Sequence, residues 1–321
     1  MLIRPLVRLL RRALGTDTLL ERTQNLGTAL TVGGGDGERL SLAAVVRQIV
    51  RQAGEEGVLA CTINDCRLNV PGGMLMMLGH CLHATLENPL CYYVENRHLQ
   101  WMCARLGKGD VAVDVGASGG LLTAALARTV GPAGRVFAFE PADRAFRLLQ
   151  RMAAFNDLDN VTIEKRAVSS ASGAVQFAEY PFSPDDDVAW RPEASALFSA
   201  ASIDAGRART YEVAVTTLDE YFAAGEFDVK LVKIDVEGFE TEVLRGAARL
   251  IERDRPAFCI DIHQRVDGQS GTTEESVREL LAPHGYRFEK LAHVLAACAR
   301  QSVARVASFP HARPLGSPSP A

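Results

Sequence analysis

Carboxylates follow three short apolar runs of the chain, and a histidine follows a fourth. The carboxylates are Asp114, Glu140 and Asp235, and the histidine is His263. A carboxylate can pair with a cation or accept hydrogen bonds from hydroxyl groups, and an imidazole can exchange a proton near neutral pH. Because open α/β sheets bind ligands beyond the carboxyl ends of their strands, we expect these four side chains to lie around one site.

A turn of small residues begins at the first of these carboxylates. The apolar run before the turn predicts a strand, and the helix-forming residues from Leu121 to Ala127 predict a helix directly after it. Strand, tight turn and helix form the opening unit of nucleotide-binding α/β domains, because glycines let the backbone approach a ligand and the helix offers free N–H groups. The turn residues expected to contact the cofactor are Asp114, Gly116, Ala117, Ser118 and Gly120.

The residues around this turn favour S-adenosylmethionine over a dinucleotide. Ser118 stands where the dinucleotide fingerprint G-x-G-x-x-G requires its second glycine. Asp114 would repel a pyrophosphate, whereas it suits the cationic amino group of S-adenosylmethionine. Glu140 lies 24 residues after Gly116 and could accept hydrogen bonds from both ribose hydroxyls. Two alternatives stay open: an NAD-dependent oxidoreductase on the same fold, and a non-catalytic partner-binding protein that retains the fold.

Four blocks of the chain, in this order, resemble the FkbM-type S-adenosylmethionine-dependent methyltransferases. The resemblance extends over about residues 105–290, and Asn156 and Asn160 resemble the family's entry to its third strand. The chain departs from the family pattern at Ser118, where Asn is usual, and at Asp261, where Glu is commoner. The blocks are Val113-Asp-Val-Gly-Ala-Ser-x-Gly-x-x-Thr123, Phe139-Glu-Pro141, Thr217-Leu-Asp219 and Lys233-Ile-Asp-Val-Glu-Gly238.

The resemblance implies methyl transfer to an oxygen, on a hydroxyl of a small molecule or glycan. Such a hydroxyl must lose a proton, and His263 is the natural general base because its ordinary pKa lies near 6.5. Asp235 could orient that base, bind the nucleophile or contact the cofactor. Glu237 is expected to be an acid in the first turn of a helix running from Phe239 to Arg253.

The order of apolar patterns predicts an α/β fold. Strands and helices alternate over residues 105–300, which predicts a doubly wound, mostly parallel Rossmann-like sheet. Residues 171–216 interrupt the alternation and predict an inserted β-hairpin. Residues 38–104 are expected to form a small N-terminal α/β cap that contacts the substrate, with a strand at Cys66–Val70.

The two ends of the chain have compositions of their own. Residues 1–15 alternate apolar and arginine positions at helical spacing, which predicts a basic amphipathic helix. This helix could bind weakly to an anionic membrane surface or dock on the protein's own core. Residues 306–321 contain four prolines and no apolar pattern, which predicts a disordered tail.

The composition of the chain narrows its expected partners, location and metal content. The net charge of −4 and the absence of a basic patch with interleaved aromatics argue against a nucleic-acid partner. No apolar run approaches the ~18 residues of a membrane span, and no secretory signal is recognisable, so we expect a cytoplasmic protein. Five of the seven cysteines fall between Cys61 and Cys103, but without zinc-ligand spacing, so we expect buried thiols and no metal site. The sequence does not predict an oligomeric state.

Overall fold

The computed structural model describes residues 58–63, 66–71, 98–179, 195–197, 209–263, 271–291 and 294–299. The predicted helix 1–15, the tail 306–321, most of the cap 38–104 and two of its cysteines, Cys81 and Cys91, lie outside the described residues. None of the helices in the described part is long and apolar enough to cross a membrane.

A seven-stranded sheet lies at the centre of the described structure. Its strands are β3 (Val111–Val115), β4 (Arg135–Phe139), β5 (Val161–Glu164), β10 (Val229–Ile234), β11 (Ala257–Asp261), β12 (Tyr286–Leu291) and β13 (Val294–Ala299). Their order across the sheet is β12-β13-β11-β10-β3-β4-β5. The five strands from β11 to β5 are parallel, and the β12–β13 hairpin adds an antiparallel edge. The doubly wound, mostly parallel sheet predicted from the sequence is confirmed.

Helices cover both faces of this sheet. They are α1 (Leu121–Val130), α2 (Asp143–Phe155), α3 (Leu218–Tyr221), α4 (Glu240–Arg245), α5 (Ala248–Asp254) and α6 (Glu274–Leu281). Successive side chains of a strand point to opposite faces, so β3 contributes to two cores. Ala112 packs in the core beneath α1 and α2, whereas Val113 and Val115 pack in the core beneath α4, α5 and α6. Burial on both faces explains why β3 is apolar without alternation.

A second, smaller sheet follows β5 in the chain. It consists of β6 (Ala167–Val168), β7 (Gly173–Glu179), β8 (Ser195–Leu197) and β9 (Arg209–Thr216), in the order β6-β9-β7-β8. β7 and β9 form an antiparallel ladder in which Gly173 lies opposite Val215 and Glu179 lies opposite Arg209. This ladder is the inserted β-hairpin that the interruption at residues 171–216 predicts.

An N-terminal hairpin packs against the central domain, and one buried amide bonds to it. β1 (Val58–Ile63) pairs antiparallel with β2 (Cys66–Pro71), and β2 confirms the strand expected at Cys66–Val70. Asn156 accepts a hydrogen bond from the backbone N–H of Asn69 at 2.8 Å and donates to the carbonyls of Asn69 and Met152, each also at 2.8 Å. The end of α2 therefore fixes the position of β2.

The prediction of a single helix from Phe239 to Arg253 is wrong, because this segment forms two helices, α4 and α5. Gly246 packs so tightly that a Cβ atom would lie 2.1 Å from the carbonyl oxygen of Ser169. The Asp219 carboxylate accepts hydrogen bonds from the N–H groups of Arg249 at 3.0 Å and Leu250 at 2.8 Å. These bonds satisfy free donors at the start of α5, so Asp219 stabilises the break.

We predict that Asn156→Ala destabilises the protein by about 1–3 kcal/mol, because it leaves buried backbone groups of β2 and α2 without partners. The free energy of unfolding in urea would measure this loss. The exposed neighbour Asp159 offers a control, and Asp159→Ala should leave stability nearly unchanged. Equal stability of the two variants would contradict the assigned role of Asn156.

Candidate functional site

The sequence-predicted site residues meet at the carboxyl edge, by which we mean the ends of β3, β4, β10 and β11. The strand order reverses between β3 and β10, and open α/β sheets bind ligands at such a switch point. The strands themselves are buried, whereas Gly116, Ser118, Asp235 and His263 at their ends are partly exposed. The carboxyl edge is thus open to a ligand at the strand ends that the sequence predicts.

A buried lysine joins β10 to β3 at this switch point. Lys233 lies beside Asp114 in the parallel register, and its Nζ lies 3.2 Å from Oδ1 of Asp114. The same Nζ donates to the carbonyl of Gly116 at 2.6 Å and lies 3.5 Å from Oδ2 of Asp235. Burial alone would lower the pKa of Lys233, but the two carboxylates outweigh it and raise the pKa, so the ammonium is charged. The sequence analysis gave Lys233 no role, although a lysine inside a buried apolar strand is itself a signal.

Asp114 supports the turn from behind and does not face the open edge. Its side chain is 0% exposed, Thr123 Oγ1 donates to its Oδ2 at 2.6 Å, and Lys233 provides the opposite charge. The direct contact with a ligand amino group that we expected for Asp114 stays a prediction that requires this buried side chain to be uncovered. Asp235, with a side chain 34% exposed, is more accessible to a ligand than Asp114.

The glycine turn is shaped by contacts within the protein. Gly116 has a φ of 75°, and a Cβ atom there would lie 1.8 Å from the carbonyl oxygen of Asp235. The N–H groups of Gly116 and Ala117 both donate to the carbonyl of Phe139 at 3.0 Å. At Gly120, with a φ of 86°, a Cβ atom would lie 2.6 Å from Cδ1 of Leu149. Both glycines are therefore required by packing and backbone conformation, in addition to any approach of a ligand.

Glu140 holds the turn in place from the end of β4. Its Oε2 accepts the N–H of Ser118 at 2.7 Å, and its Oε1 accepts the N–H of Ala142 at 2.8 Å. Burial raises the pKa of Glu140 to about 7, although these two N–H groups oppose the rise. Each carboxylate oxygen can accept more than one hydrogen bond, so Glu140 retains acceptor capacity for hydroxyl groups.

A second group of side chains, which we call the acid–histidine cluster, lies at the ends of β10 and β11. Its members are Asp235, Glu237, Glu240, Asp261 and His263. Nδ1 of His263 lies 3.5 Å from Oε1 of Glu240 and 3.8 Å from Oδ1 of Asp235, and Nε2 lies 3.9 Å from Oδ1 of Asp261. Four carboxylates therefore surround one imidazole, an arrangement that could bind a cation.

The protonation state of His263 follows from this surrounding. Burial lowers its pKa, but the Glu240 carboxylate, 3.5 Å from Nδ1, and the negative charges of Glu237, Asp235 and Asp261 raise it to about 10. With such a pKa the imidazole is already protonated at neutral pH, so in this arrangement it has no free site to accept a proton. The general-base role expected for His263 therefore stays a prediction that requires loss of this proton.

Glu237 lies in the turn before α4, whereas the sequence analysis expected it in the first helical turn. The helix begins at Glu240, and Glu237 has a left-handed backbone conformation with a φ of 55°. Burial raises the pKa of Glu237 to about 7, while the neighbouring His263 opposes the rise. Glu237 is thus a member of the acid–histidine cluster, and its pKa is close to neutrality.

A comparison with known proteins matches the part of the chain that contains these site residues. A family model described as the methyltransferase FkbM domain matches residues 114–288, more than half of the chain. Methyltransferase sdnD from Sordaria araneosa is 31% identical over 162 residues, which are 44% of this chain and 62% of sdnD. The chain therefore matches less than two thirds of that relative's length.

Among solved structures, methyltransferase FkbM from Methylobacillus flagellatus KT is 17% identical to this chain. The match covers 79% of this chain and 58% of that one, with a TM-score of 0.40. The family assignment rests on the matched domain, which contains Asp114, Glu140, Lys233, Asp235 and His263.

We predict that Lys233→Met costs about 3–5 kcal/mol of stability, because it leaves the buried Asp114 carboxylate without its cation. Adding Asp114→Asn to this variant should recover part of the loss, and a double-mutant cycle in urea would measure the coupling. Lys230, which is exposed on the same strand, provides the control, since Lys230→Met should change stability little. Additive effects of Lys233→Met and Asp114→Asn would contradict the pairing.

Proposed function

Since the chain belongs to the FkbM methyltransferase family, we propose that it transfers a methyl group from S-adenosylmethionine to an acceptor at the carboxyl edge. The observation that carries this proposal is the glycine turn, held by Glu140 through the N–H of Ser118 at 2.7 Å. This hydrogen bond places the Glu140 carboxylate, which can accept further hydrogen bonds, beside a partly exposed turn at the switch point of the sheet. Family membership favours methyl transfer over the NAD-dependent and non-catalytic alternatives.

The residues at the edge fit the chemistry of this cofactor. S-adenosylmethionine carries a sulfonium and an ammonium group, and it supplies an electrophilic methyl group when bound. Glu140 is suited to the two ribose hydroxyls, since an ionised carboxylate accepts from both. Asp235, which is partly exposed, is suited to the ammonium group, because Asp114 is buried and already paired with Lys233.

The acceptor is proposed to be a hydroxyl of a small molecule or glycan, and it approaches from the acid–histidine cluster. Methyl transfer requires the acceptor oxygen to be aligned with the methyl carbon, and it requires a base for the hydroxyl proton. Glu237 suits that task, because a base works best when its pKa is near the working pH and the pKa of Glu237 is about 7. His263 in its charged form stabilises the ionised carboxylates around it.

The direct test is incubation of the protein with methyl-labelled S-adenosylmethionine and pools of hydroxylated small molecules and glycans. Mass detection of an acceptor that gains one methyl group supports the proposal and identifies the acceptor. Binding of NAD with no affinity for S-adenosylmethionine would overturn it.

We predict that Glu140→Gln weakens binding of S-adenosylmethionine about 10–100-fold, the equivalent of losing hydrogen bonds of about 1.5–3 kcal/mol to a charged group. Isothermal titration calorimetry at pH 8 would measure the affinity. Glu212 is exposed on β9, so Glu212→Gln is the matched control and should bind as the wild type does. An unchanged affinity in Glu140→Gln would remove this residue from the cofactor site.

The affinity for S-adenosylmethionine should also depend on pH. Because the pKa of Glu140 is about 7, its accepting carboxylate form is the minor form at pH 6 and the major form at pH 8. Affinity should therefore rise roughly tenfold between these two values, as calorimetry at each pH would measure. Glu237→Gln should keep this rise and Glu140→Gln should lose it. The opposite pattern would place the titrating group at Glu237.

A further inference from the structure

We propose that Asp235, Glu237 and His263 form a binding site for one divalent cation at the acceptor side of the carboxyl edge. One ligand atom from each residue lies within 4.8 Å of the others. Atoms bound to one ion at about 2.1 Å lie at most about 4.2 Å apart, so a small inward movement of the side chains closes the site. The sequence analysis expected no metal site, because the cysteines between Cys61 and Cys103 lack zinc-ligand spacing.

The donor set indicates which cations fit. Two carboxylate oxygens favour Mg²⁺ and Mn²⁺, whereas an imidazole nitrogen favours Zn²⁺ and other transition metals. A mixed set of two oxygens and one nitrogen therefore suits Mn²⁺ or Zn²⁺. Three protein ligands leave positions open for water or substrate, which is typical of a site that binds a reactant and not of a purely structural one.

A buried carboxylate beside these three residues provides independent support. Glu240 is fully buried, and its Oε2 has no hydrogen-bond partner within the described residues. Its Oε1 accepts the N–H of Gly238 at 2.9 Å and lies 3.5 Å from Nδ1 of His263. A buried carboxylate oxygen without a donor is unfavourable unless a cation compensates it. A divalent ion at Asp235 and Glu237 would supply that compensation.

The environment of His263 fits the same arrangement. Nδ1 is buried, has no hydrogen-bond partner in the described part of the chain, and faces Asp235 at 3.8 Å. Asp261 lies on the other side of the ring, 3.9 Å from Nε2. Histidines that bind metals commonly have a carboxylate on the nitrogen that does not bind, which fixes the orientation of the ring. We therefore assign Nδ1 to the ion, which binds in place of the imidazole proton and releases that proton to solvent.

The proposed ion lies where an acceptor would approach the methyl group. Asp235 and His263 are 34% and 29% exposed, so a molecule from solvent can reach the site. An oxygen of the acceptor could bind at an open position of the ion, which favours acceptors with neighbouring hydroxyl or carboxylate oxygens. This role rests on the proposed function, whereas cation binding itself does not.

The test uses the full chain after removal of metals with a chelator. Titration with Mn²⁺, followed by electron paramagnetic resonance of the free ion, should show one saturable site per chain, and Zn²⁺ should displace the Mn²⁺. Asp235→Asn and Glu237→Gln should each weaken Mn²⁺ binding at least about tenfold. Glu275, exposed on α6, provides the control, and Glu275→Gln should bind Mn²⁺ normally.

Absence of saturable Mn²⁺ and Zn²⁺ binding, or full binding in Glu237→Gln, would overturn the proposal. If thermal unfolding shows that Glu237→Gln does not fold, His263→Gln replaces it, and full Mn²⁺ binding by that variant counts equally against the site. Calorimetry with S-adenosylmethionine in excess chelator separates the two proposals. Methyl transfer at full rate without any bound metal removes the role of the ion in positioning the acceptor and keeps the function. Saturable Mn²⁺ binding without affinity for S-adenosylmethionine removes the function and keeps the ion site.

Discussion

The carboxyl edge depends on one buried cation, the ammonium group of Lys233. A buried ammonium is unfavourable unless oxygens replace its water shell, and here the oxygens come from three parts of the chain. Asp114 contributes from β3, the carbonyl of Gly116 contributes from the turn, and Asp235 contributes from the end of β10. The sheet order reverses between β3 and β10, so Lys233 joins the strands between which the site opens. The position of the turn is consequently fixed by charge as well as by strand pairing.

This cation also divides the carboxylates into two classes. Asp114 is fully buried, with Thr123 and Lys233 as its partners, and it stabilises the fold. The acid–histidine cluster, at the ends of β10 and β11, contains four carboxylates and one imidazole and is partly open to solvent. An anionic, low-dielectric edge attracts cationic groups. A sulfonium cofactor and a divalent metal are both ligands of this kind. The two proposals share Asp235, and they otherwise use Glu140 for the cofactor and Glu237 and His263 for the metal.

The sequence predicts the architecture better than the protonation states. Apolar runs that end in a polar residue locate β3, β4, β10 and β11, because a strand buried on both faces is mostly apolar. Asp114 in β3 and Lys233 in β10 are exceptions. The role of Lys233 depends on a partner 117 residues away in the chain, the carbonyl of Gly116, and no local pattern records that proximity. The charge on His263 depends on Glu240 and Asp261, which reach it only after folding. The break between α4 and α5 likewise depends on Gly246 meeting Ser169.

The sequence locates the glycine turn correctly but explains only part of why glycine is needed there. Sequence reasoning assigns Gly116 to the approach of a ligand, but a Cβ atom there would collide with the carbonyl of Asp235 at 1.8 Å before any ligand arrives. The turn is therefore shaped by the neighbouring strand, by the carbonyl of Phe139 and by Glu140. Because these contacts exist within the protein itself, binding requires little ordering of the backbone, and less of the binding energy is lost to reorganisation. The proposed cofactor would therefore meet a turn whose backbone Phe139 and Glu140 already hold in place.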